Sequence, residues 1–334
     1  MFRRFLAFII GIIVSINLMC IQPMHVQGSA DKSTIRVLLS SMGSPKQVTI
    51  NVNGDYGIKD LDNSLLKKGD YTISIASGAL VLNDGAKSTS LGSKFTFTRY
   101  KGDNPNQLKI GNYNYLGDME VRLDGGGIRL VNHVHLETYL YGVVPYEVSN
   151  TWPIEVQKAQ AVAARTYAVG NKKPGSYYDV HDTVADQVYK GYDPKNTNSI
   201  KAVNDTFGQV LKYGSGYAHT FYSASNGGTI EASNNLWSGS IPYLVVKADE
   251  YDARSTVKTS NTPWKATFKK SPVDPALLKR LKFTDALKAQ GLAEAGIENL
   301  QIKAFDFKTN TSSRADNVTI TLSMDKKPKV EGAP

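Results

Sequence analysis

Tyr139-Leu-Tyr-Gly-Val-Val-Pro-Tyr-Glu147-Val, Ser149-Asn-Thr-Trp-Pro153 and Ile154-Glu-Val-Gln-Lys-Ala-Gln160-Ala-Val-Ala-Ala-Arg165-Thr-Tyr-Ala-Val169 run on continuously, and their reading decides the fold. Pro153 has a φ preset for a first helical turn, Glu155 complements the helix dipole, and Gly170 with Pro174 marks the stop. The spacing predicts one helix of about four turns. Ala159, Ala161, Ala163, Ala164 and Ala168 fall on several of its faces, so neighbours can approach closely all round and the helix reads as buried. Gln160 and Arg165 ride on it, and each polar group costs about several kcal/mol if buried without partners. Something anionic or hydrogen-bonding should therefore meet them. Upstream, Glu147 stands between Val143-Val144-Pro145 and Val148, in an apolar loop leading to the helix. Desolvation there raises a carboxyl's pKa, as a general acid at neutral pH requires. The plainer reading has Glu147 capping the helix or pairing with Arg165.

Around that stretch the chain has 334 residues, enough for one large domain or two ordinary ones. The only cysteine is Cys20, inside an N-terminal apolar run, so disulfides, thiolate metal ligands and a catalytic cysteine are not expected. The formal charge of +9 suits an anionic partner. No basic recognition helix or RNA-binding signature accompanies it, so nucleic acid is not expected. Dispersed lysines that keep an exported domain soluble explain the same charge.

Met1 to about Ala30 has the layout of a targeting segment, with Arg3 and Arg4 before the apolar run Phe5 to Leu18. It is either a signal peptide cut near Gly28, Ser29 and Ala30 or an uncleaved anchor, since about 18 apolar residues can span a bilayer. Both place the chain outside the cytoplasm, with membrane contact only through an uncleaved N-terminus. From Thr34 to Asp124, residues alternate on a period of two: Ile35 to Ser40, Gln47 to Val52, Tyr71 to Ile75, Lys94 to Arg99 and Met119 to Leu123 read as strands. Asn53-Gly54, Asn83-Asp-Gly85 and Gly125-Gly-Gly127 supply the turns. Asp60, Asp62, Asp70 and Asp84 fall among turn residues, with no metal-ligand spacing. Ile128 to Leu136 is a further strand that puts His133 and His135 on one face; without a third ligand nearby they read as hydrogen-bonded strand histidines. Downstream, Asn198 to Thr206 reads as a short helix, and Gln209 to Tyr213 with Tyr217 to Tyr222 as a hairpin. Ser223-Ala-Ser225-Asn-Gly227-Gly228 is a small-residue loop whose N–H groups can approach a ligand, or a tight turn without one. No nucleophile elbow accompanies Ser225. Pro275 to Lys279 and Thr284 to Gln290 look helical, and Ile297 to Ile302 and Asn317 to Leu322 look like strands.

The run Tyr139-Leu-Tyr-Gly-Val-Val-Pro-x-Glu147, then Trp-Pro and Lys-Ala-Gln-Ala-Val-Ala-Ala-Arg-Thr-Tyr-Ala, resembles the signature of the SpoIID/LytB family, the stage II sporulation protein D and amidase-enhancer group. Gln187, Tyr189 and Gly191 match that family's Gln-x-Tyr-x-Gly core, and the loop at Ser225 to Thr229 its Ser-x-Gly-Gly-x-Thr segment. The resemblance covers about Ile35 to Tyr251. It implies a cell-wall protein without a cofactor whose relatives cleave peptidoglycan glycan strands as lytic transglycosylases, and it puts the catalytic acid on Glu147. Gln160, Arg165, Gln187, Tyr189, Ser223, Ser225, Gly227 and Gly228 are the candidates for holding substrate, with Arg165 on the sugar or on a supporting carboxylate. Sporulation-type relatives often bind zinc through cysteine and histidine near this core. Here Asp186 stands where cysteine is common and His181 lacks thiolate partners, so no metal site is expected. The family's Gly-His-Gly-Val-Gly-Met-Ser-Gln-like closing motif is absent, which fits a truncated or divergent member and favours the other reading, a glycan-binding enhancer that positions a wall amidase. An ordinary inverting hydrolase needs a second carboxylate, for which Asp179, Asp182 and Asp186 are available. The expected fold is α+β: a targeting segment over 1–30, a β-rich region over 31–127 packed with a mixed α/β catalytic core over 128–255 around the Ala-rich helix, and an α/β region over 256–334.

Overall fold

The computed structural model describes residues 25–28, 34–58, 61, 65–100, 107–254 and 300–324. It is α+β and rich in strands. The chain divides into two compact units, one over residues 22–222 and the other over 223–334.

The first unit begins with two six-stranded sheets. One runs in the order Tyr113–Tyr115, Gln107–Ile110, Gln47–Asn53, Gly69–Ala76, Ala79–Asn83, Ser88–Ser90, and the other Val180–His181, Thr34–Leu38, Gly127–His135, Asp118–Asp124, Lys94–Arg99, Tyr56–Ile58. Every pairing is antiparallel except that of Val180–His181 with Thr34–Leu38. Alternation drives the stacking: in Gln47–Asn53, Val48, Ile50 and Val52 are buried while their neighbours face outward. Tyr71 of one sheet meets Phe97 of the other edge-on at 6.2 Å between centroids. Gly125 and Gly126 form a two-residue hairpin loop with φ of 57° and 72°, the positive pair that a tight turn between strands of this twist requires. The strands at 56–58, 88–90, 107–110 and 113–115 are too brief for alternation to register, and the five-residue strand at 79–83 was also missed, its Ala-Leu-Val-Leu being apolar on both faces.

Four helices follow on the long strand Gly127–His135: α1 (Leu136–Leu140), α2 (Val144–Glu147), α3 (Ile154–Gly170) and α4 (Thr197–Asp205). His135 caps α1 by accepting from the Glu137 N–H. Pro153 stands at the N-cap of α3 with ψ of 139°, one position earlier than its φ alone implies. Burial of α3 is one-sided: Gln157, Ala161, Ala164, Arg165 and Ala168 line the inner stripe, while Ala159 is exposed. The inner alanines Ala161, Ala164 and Ala168 join Ile35, Val37, Val134, Leu136 and Tyr139 in one core, so the β-rich and helical regions share a single hydrophobic interior.

Inside that core is a buried ion pair. Arg165 is 0% exposed and donates from Nε and Nη2 to Glu137 Oε1 and Oε2 at 2.8 and 2.6 Å. Its remaining N–H groups go to the carbonyls of Val203 and Gln209 and, more weakly, to Ala161 O and Thr206 Oγ1. One guanidinium thus joins α1, α3, α4 and the strand Gln209–Tyr213. Gln157 does the same at the helix start, donating to Asn150 O and Trp152 O and accepting from Ser199 Oγ at 2.7 Å.

A third sheet joins His25–Gly28, Gln209–Tyr213 and Gly216–Tyr217. Of the expected targeting stretch, 1–24 and 29–30 lie outside the described residues, while 25–28 pair with 209–212. No helix among the described residues is long and apolar enough to cross a membrane. The strand expected over Tyr217 to Tyr222 stops after Tyr217. In the second unit, Leu300–Thr309 pairs with Ala315–Met324, and Thr229–Ile230 with Lys247–Ala248. The helices expected at 275–279 and 284–290 lie outside the described residues.

Removing one member of the buried pair leaves the other charge stranded. Glu137→Ala should lower the unfolding free energy by about 3–5 kcal/mol in urea titration, and Glu137→Leu with Arg165→Met should recover most of it. A loss below about 1 kcal/mol for the single variant contradicts this account. Gly142 is a second pressure point, because an added Cβ would stand 2.1 Å from Gly191 O and 2.7 Å from the Tyr189 ring. Gly142→Ala should cost about 1–3 kcal/mol in the same assay, and a neutral result would mean that these backbones are not in contact.

Candidate active site

Glu147 is the last residue of α2, not part of an extended loop. Gly142 lets the chain before it pass against Gly191, and Lys190 donates its N–H to Gly142 O at 3.0 Å. That contact brings residues 187–189 alongside Glu147. The Val188 N–H reaches Glu147 Oε1 at 3.3 Å.

Burial raises the Glu147 carboxyl above its ordinary range, offset in part by the Val188 N–H and the Tyr222 hydroxyl, which both bond to it. The shift comes from desolvation rather than from a second carboxylate. Arg165, whose charge would have lowered it, is committed to Glu137. The carboxyl is half-buried, and its neighbours Tyr146 and Trp152 are 45% and 47% exposed.

Behind the acid is a chain of oriented donors. Tyr139, fully buried, donates to Gln187 Oε1 at 3.2 Å. Gln187 Nε2 donates to the Tyr222 oxygen at 2.9 Å and to Ala164 O at 3.4 Å. Because that oxygen is already accepting, the Tyr222 proton is left for Glu147. Tyr189 packs on Tyr139 at 5.0 Å and donates to Asn132 Oδ1 at 2.7 Å, and Asn132 donates in turn to Leu116 O and Asp118 O.

Of the candidate sugar contacts, Gln187 and Tyr189 are instead turned inward, and Arg165 meets a carboxylate, that of Glu137. Arg165, Gln187 and Tyr189 are 0%, 1% and 1% exposed, and their polar atoms are engaged within the protein. Gln160 is half-buried, and its side-chain nitrogen finds no hydrogen-bond partner among the described residues. Ser223, Ser225, Gly227 and Gly228 belong to the second unit. Ser225 Oγ and the Gly228 N–H bond to Asp252 Oδ2 at 2.9 and 3.2 Å, the Gly227 N–H goes to Ser225 Oγ, and Ser223 Oγ donates to Ser225 O. The donors expected to face a ligand are turned onto an internal carboxylate, which the Ser225 bond in particular holds below its usual range.

The alternative second carboxylates are likewise tied. Burial alone would raise Asp179, but bonds from Arg36 and the Lys173 N–H outweigh it and hold the carboxylate low. Asp182 accepts from Ser40 Oγ and both the N–H and the hydroxyl of Ser41, and Asp186 from Tyr167 OH and the His181 N–H. All three fasten residues 173–186 to their surroundings. No group of three or more His, Cys, Asp or Glu able to hold a metal ion occurs among the described residues. His181 Nδ1 lies 3.2 Å from Ser40 Oγ, and burial keeps His133 below its ordinary pKa.

Sequence reasoning missed Tyr222, Tyr139 and the Val188 N–H. Tyr222 is one of 18 tyrosines and carries no spacing signal, so only its fold position reveals it.

Residues 124–213 match a family model described as Stage II sporulation protein. The chain is 34% identical over 273 residues to the amidase enhancer of Bacillus subtilis, covering 78% of this chain and 36% of the relative. It is 34% identical over 143 residues to stage II sporulation protein D of the same organism, covering 37% of this chain and 41% of the relative. A protein of Brachyspira hyodysenteriae is 30% identical over 227 residues, covering 64% of this chain and 58% of its own length. The chain thus spans about a third to three-fifths of the relatives it matches. With Glu147, Arg165 and Gln187 all inside the matched residues 124–213, the chain belongs to the SpoIID/LytB family.

Proposed function

We propose that the chain is a peptidoglycan lytic transglycosylase acting outside the cytoplasm, with Glu147 as its single acid and base. The observation that carries this reading is a half-buried carboxyl raised by desolvation alone and bonded by one backbone N–H and one tyrosine hydroxyl. Protonated Glu147 gives its proton to the glycosidic oxygen between N-acetylmuramic acid and N-acetylglucosamine. The resulting carboxylate takes the proton of the muramoyl C6 hydroxyl as that oxygen closes on the anomeric carbon to form the anhydro ring. One carboxyl group serves both transfers, unlike the pair used by ordinary glycosidases. Proton transfer of this kind contributes about 10²–10⁴ in rate, so orientation of the glycan supplies much of the rest. Tyr222 and the Val188 N–H stabilise the carboxylate that forms once the proton has been given up.

The name of the Bacillus subtilis relative, amidase enhancer, supports a second reading in which the chain binds glycan and positions a wall amidase without cutting. Product analysis separates the two. Peptide-free glycan strands incubated with the protein should yield anhydromuramoyl ends by mass spectrometry, and Glu147→Gln should abolish them while the fold persists. Products that survive the substitution remove Glu147 from the mechanism, and strands bound but never cut by the unaltered protein favour the enhancer.

Tyr222→Phe removes a bond that lowers the Glu147 pKa, so that pKa should rise. The alkaline limb of the kcat/KM profile, where the acid loses its proton, should then move to higher pH. A limb that stays put or moves down contradicts the assigned bond. A carboxyl with a raised folded pKa stabilises the fold below its unfolded pKa and loses that contribution as pH rises through the folded value. Glu147→Gln should therefore gain stability relative to the parent as urea titrations move from pH 4 to pH 7, and a constant difference would argue against desolvation of the site.

A further inference from the structure

The sheet that contains Gly127–His135, Asp118–Asp124 and Lys94–Arg99 carries a line of cations on its outer face. Arg122 stands directly opposite Arg129 on one neighbouring strand and Lys94 on the other. Side chains opposite one another across strands share a face, and strands lie about 4.8 Å apart, so the three charges span about 10 Å. Phe95, Val121 and Leu130, one residue along, are buried in the core, which turns the cations outward. Lys46 adds a fourth, held at the hairpin tip by its bond to Gly126 O. Two carboxylates stand nearby. Glu120 accepts from Arg122 Nη1 at 2.7 Å, and Asp124 accepts from the Tyr177 hydroxyl at 3.1 Å. Among the described residues neither Lys94 nor Arg129 has an ion-pair partner, and Arg129 Nε is buried without any hydrogen bond. Like charges directly opposite weaken a sheet, so this line lowers the stability of the fold. Arg122 is already set in place, its guanidinium 4.2 Å above the Tyr177 ring. Six residues beyond Arg129, His135 leads into α1; at about 3.3 Å per residue the line is about 20 Å from the helices that carry Glu147.

We propose that Lys94, Arg122 and Arg129, with Lys46, are a docking surface for a chain of repeating phosphodiester anions, which holds the protein to such a polymer outside the cytoplasm independently of the acid. A linear anion crossing the strands meets all three charges in turn, where one small anion meets one or two. The parallel N–H groups of a guanidinium fit two oxygens of a phosphodiester. No large apolar side chain is exposed on these strands among the described residues, which argues against a membrane surface or an apolar protein contact. Tyr177 and Tyr178 are already engaged by Arg122 and Lys173, so nucleic-acid bases find no open ring to stack on.

The test measures binding of the full chain to poly(glycerol phosphate) at about 50 mM and about 500 mM salt, since screening separates the two conditions. Lys94→Gln with Arg129→Gln should weaken binding about tenfold or more at the lower salt, the size of one lost charge-assisted bond, and little at the higher. Lys68→Gln with Lys109→Gln removes the same charge from exposed positions elsewhere in the unit and should leave binding within about twofold. Because it relieves repulsion, the first pair should melt no lower than the parent. A lower melting temperature would mark the line as structural, and equal losses from both pairs would reduce the effect to net charge; either overturns the docking surface. Binding to phosphatidylglycerol vesicles without binding to the polymer would overturn it too, as would tighter binding to single-stranded DNA of matched charge. Lys94→Glu alone, at an exposed side chain without a hydrogen bond among the described residues, should also weaken binding, and no loss there contradicts the proposal. Glu147→Gln should bind the polymer as the parent does, so this surface and the reading of Glu147 stand or fall separately.

Discussion

A guanidinium shut away from water has to give its N–H groups to protein, and the placing of the site follows from how Arg165 does so. Its two bonds to Glu137 and its contacts with Val203 O and Gln209 O fix α1, α3, α4 and one strand relative to each other. α1 and α2 are separated by only three residues, so fixing α1 fixes Glu147. The pair is a costly way to hold helices together, since an apolar substitute can be as stable. What it adds is directional register: five donors in a plane admit few alternative packings.

The acid itself shows the opposite treatment of charge. Arg165 meets a carboxylate, whereas Glu147 meets no cation among the described residues and is pushed toward its neutral form. For Glu147 it is the surroundings, more than the residue type, that bias the protonation state. The row Tyr139, Gln187, Tyr222 adds direction, because each hydroxyl or amide already occupied on one side has only one way left to point.

Much of this was legible in the residues. The strands over 94–99 and 118–124, the Gly125-Gly126 turn and the helix starting after Pro153 follow from periodicity and turn chemistry. Glu147 stood out because a carboxylate among Val143, Val144, Pro145 and Val148 is out of place. The partners were not. Gln187 and Tyr189 carry the family's core motif, yet a motif does not distinguish a residue that touches sugar from one that holds the residue that does, and both proved buried. The glycines of 227 and 228 looked free for a ligand because Asp252, which takes the Gly228 N–H, lies 24 residues away. One-sided burial of α3 was hidden by its alanines, which are equally at home on an inner or an outer face.

The account stands on a carboxyl that holds its proton because it is short of water. Carboxyl-carbon NMR of the protein labelled at glutamate, with Glu147→Gln to assign the signal, measures that directly. The account predicts a titration midpoint for Glu147 clearly above the ordinary glutamate value of about 4.3. A midpoint at or below that value would contradict it, and would mean that the group enters neutral solution already ionised and unable to act as an acid.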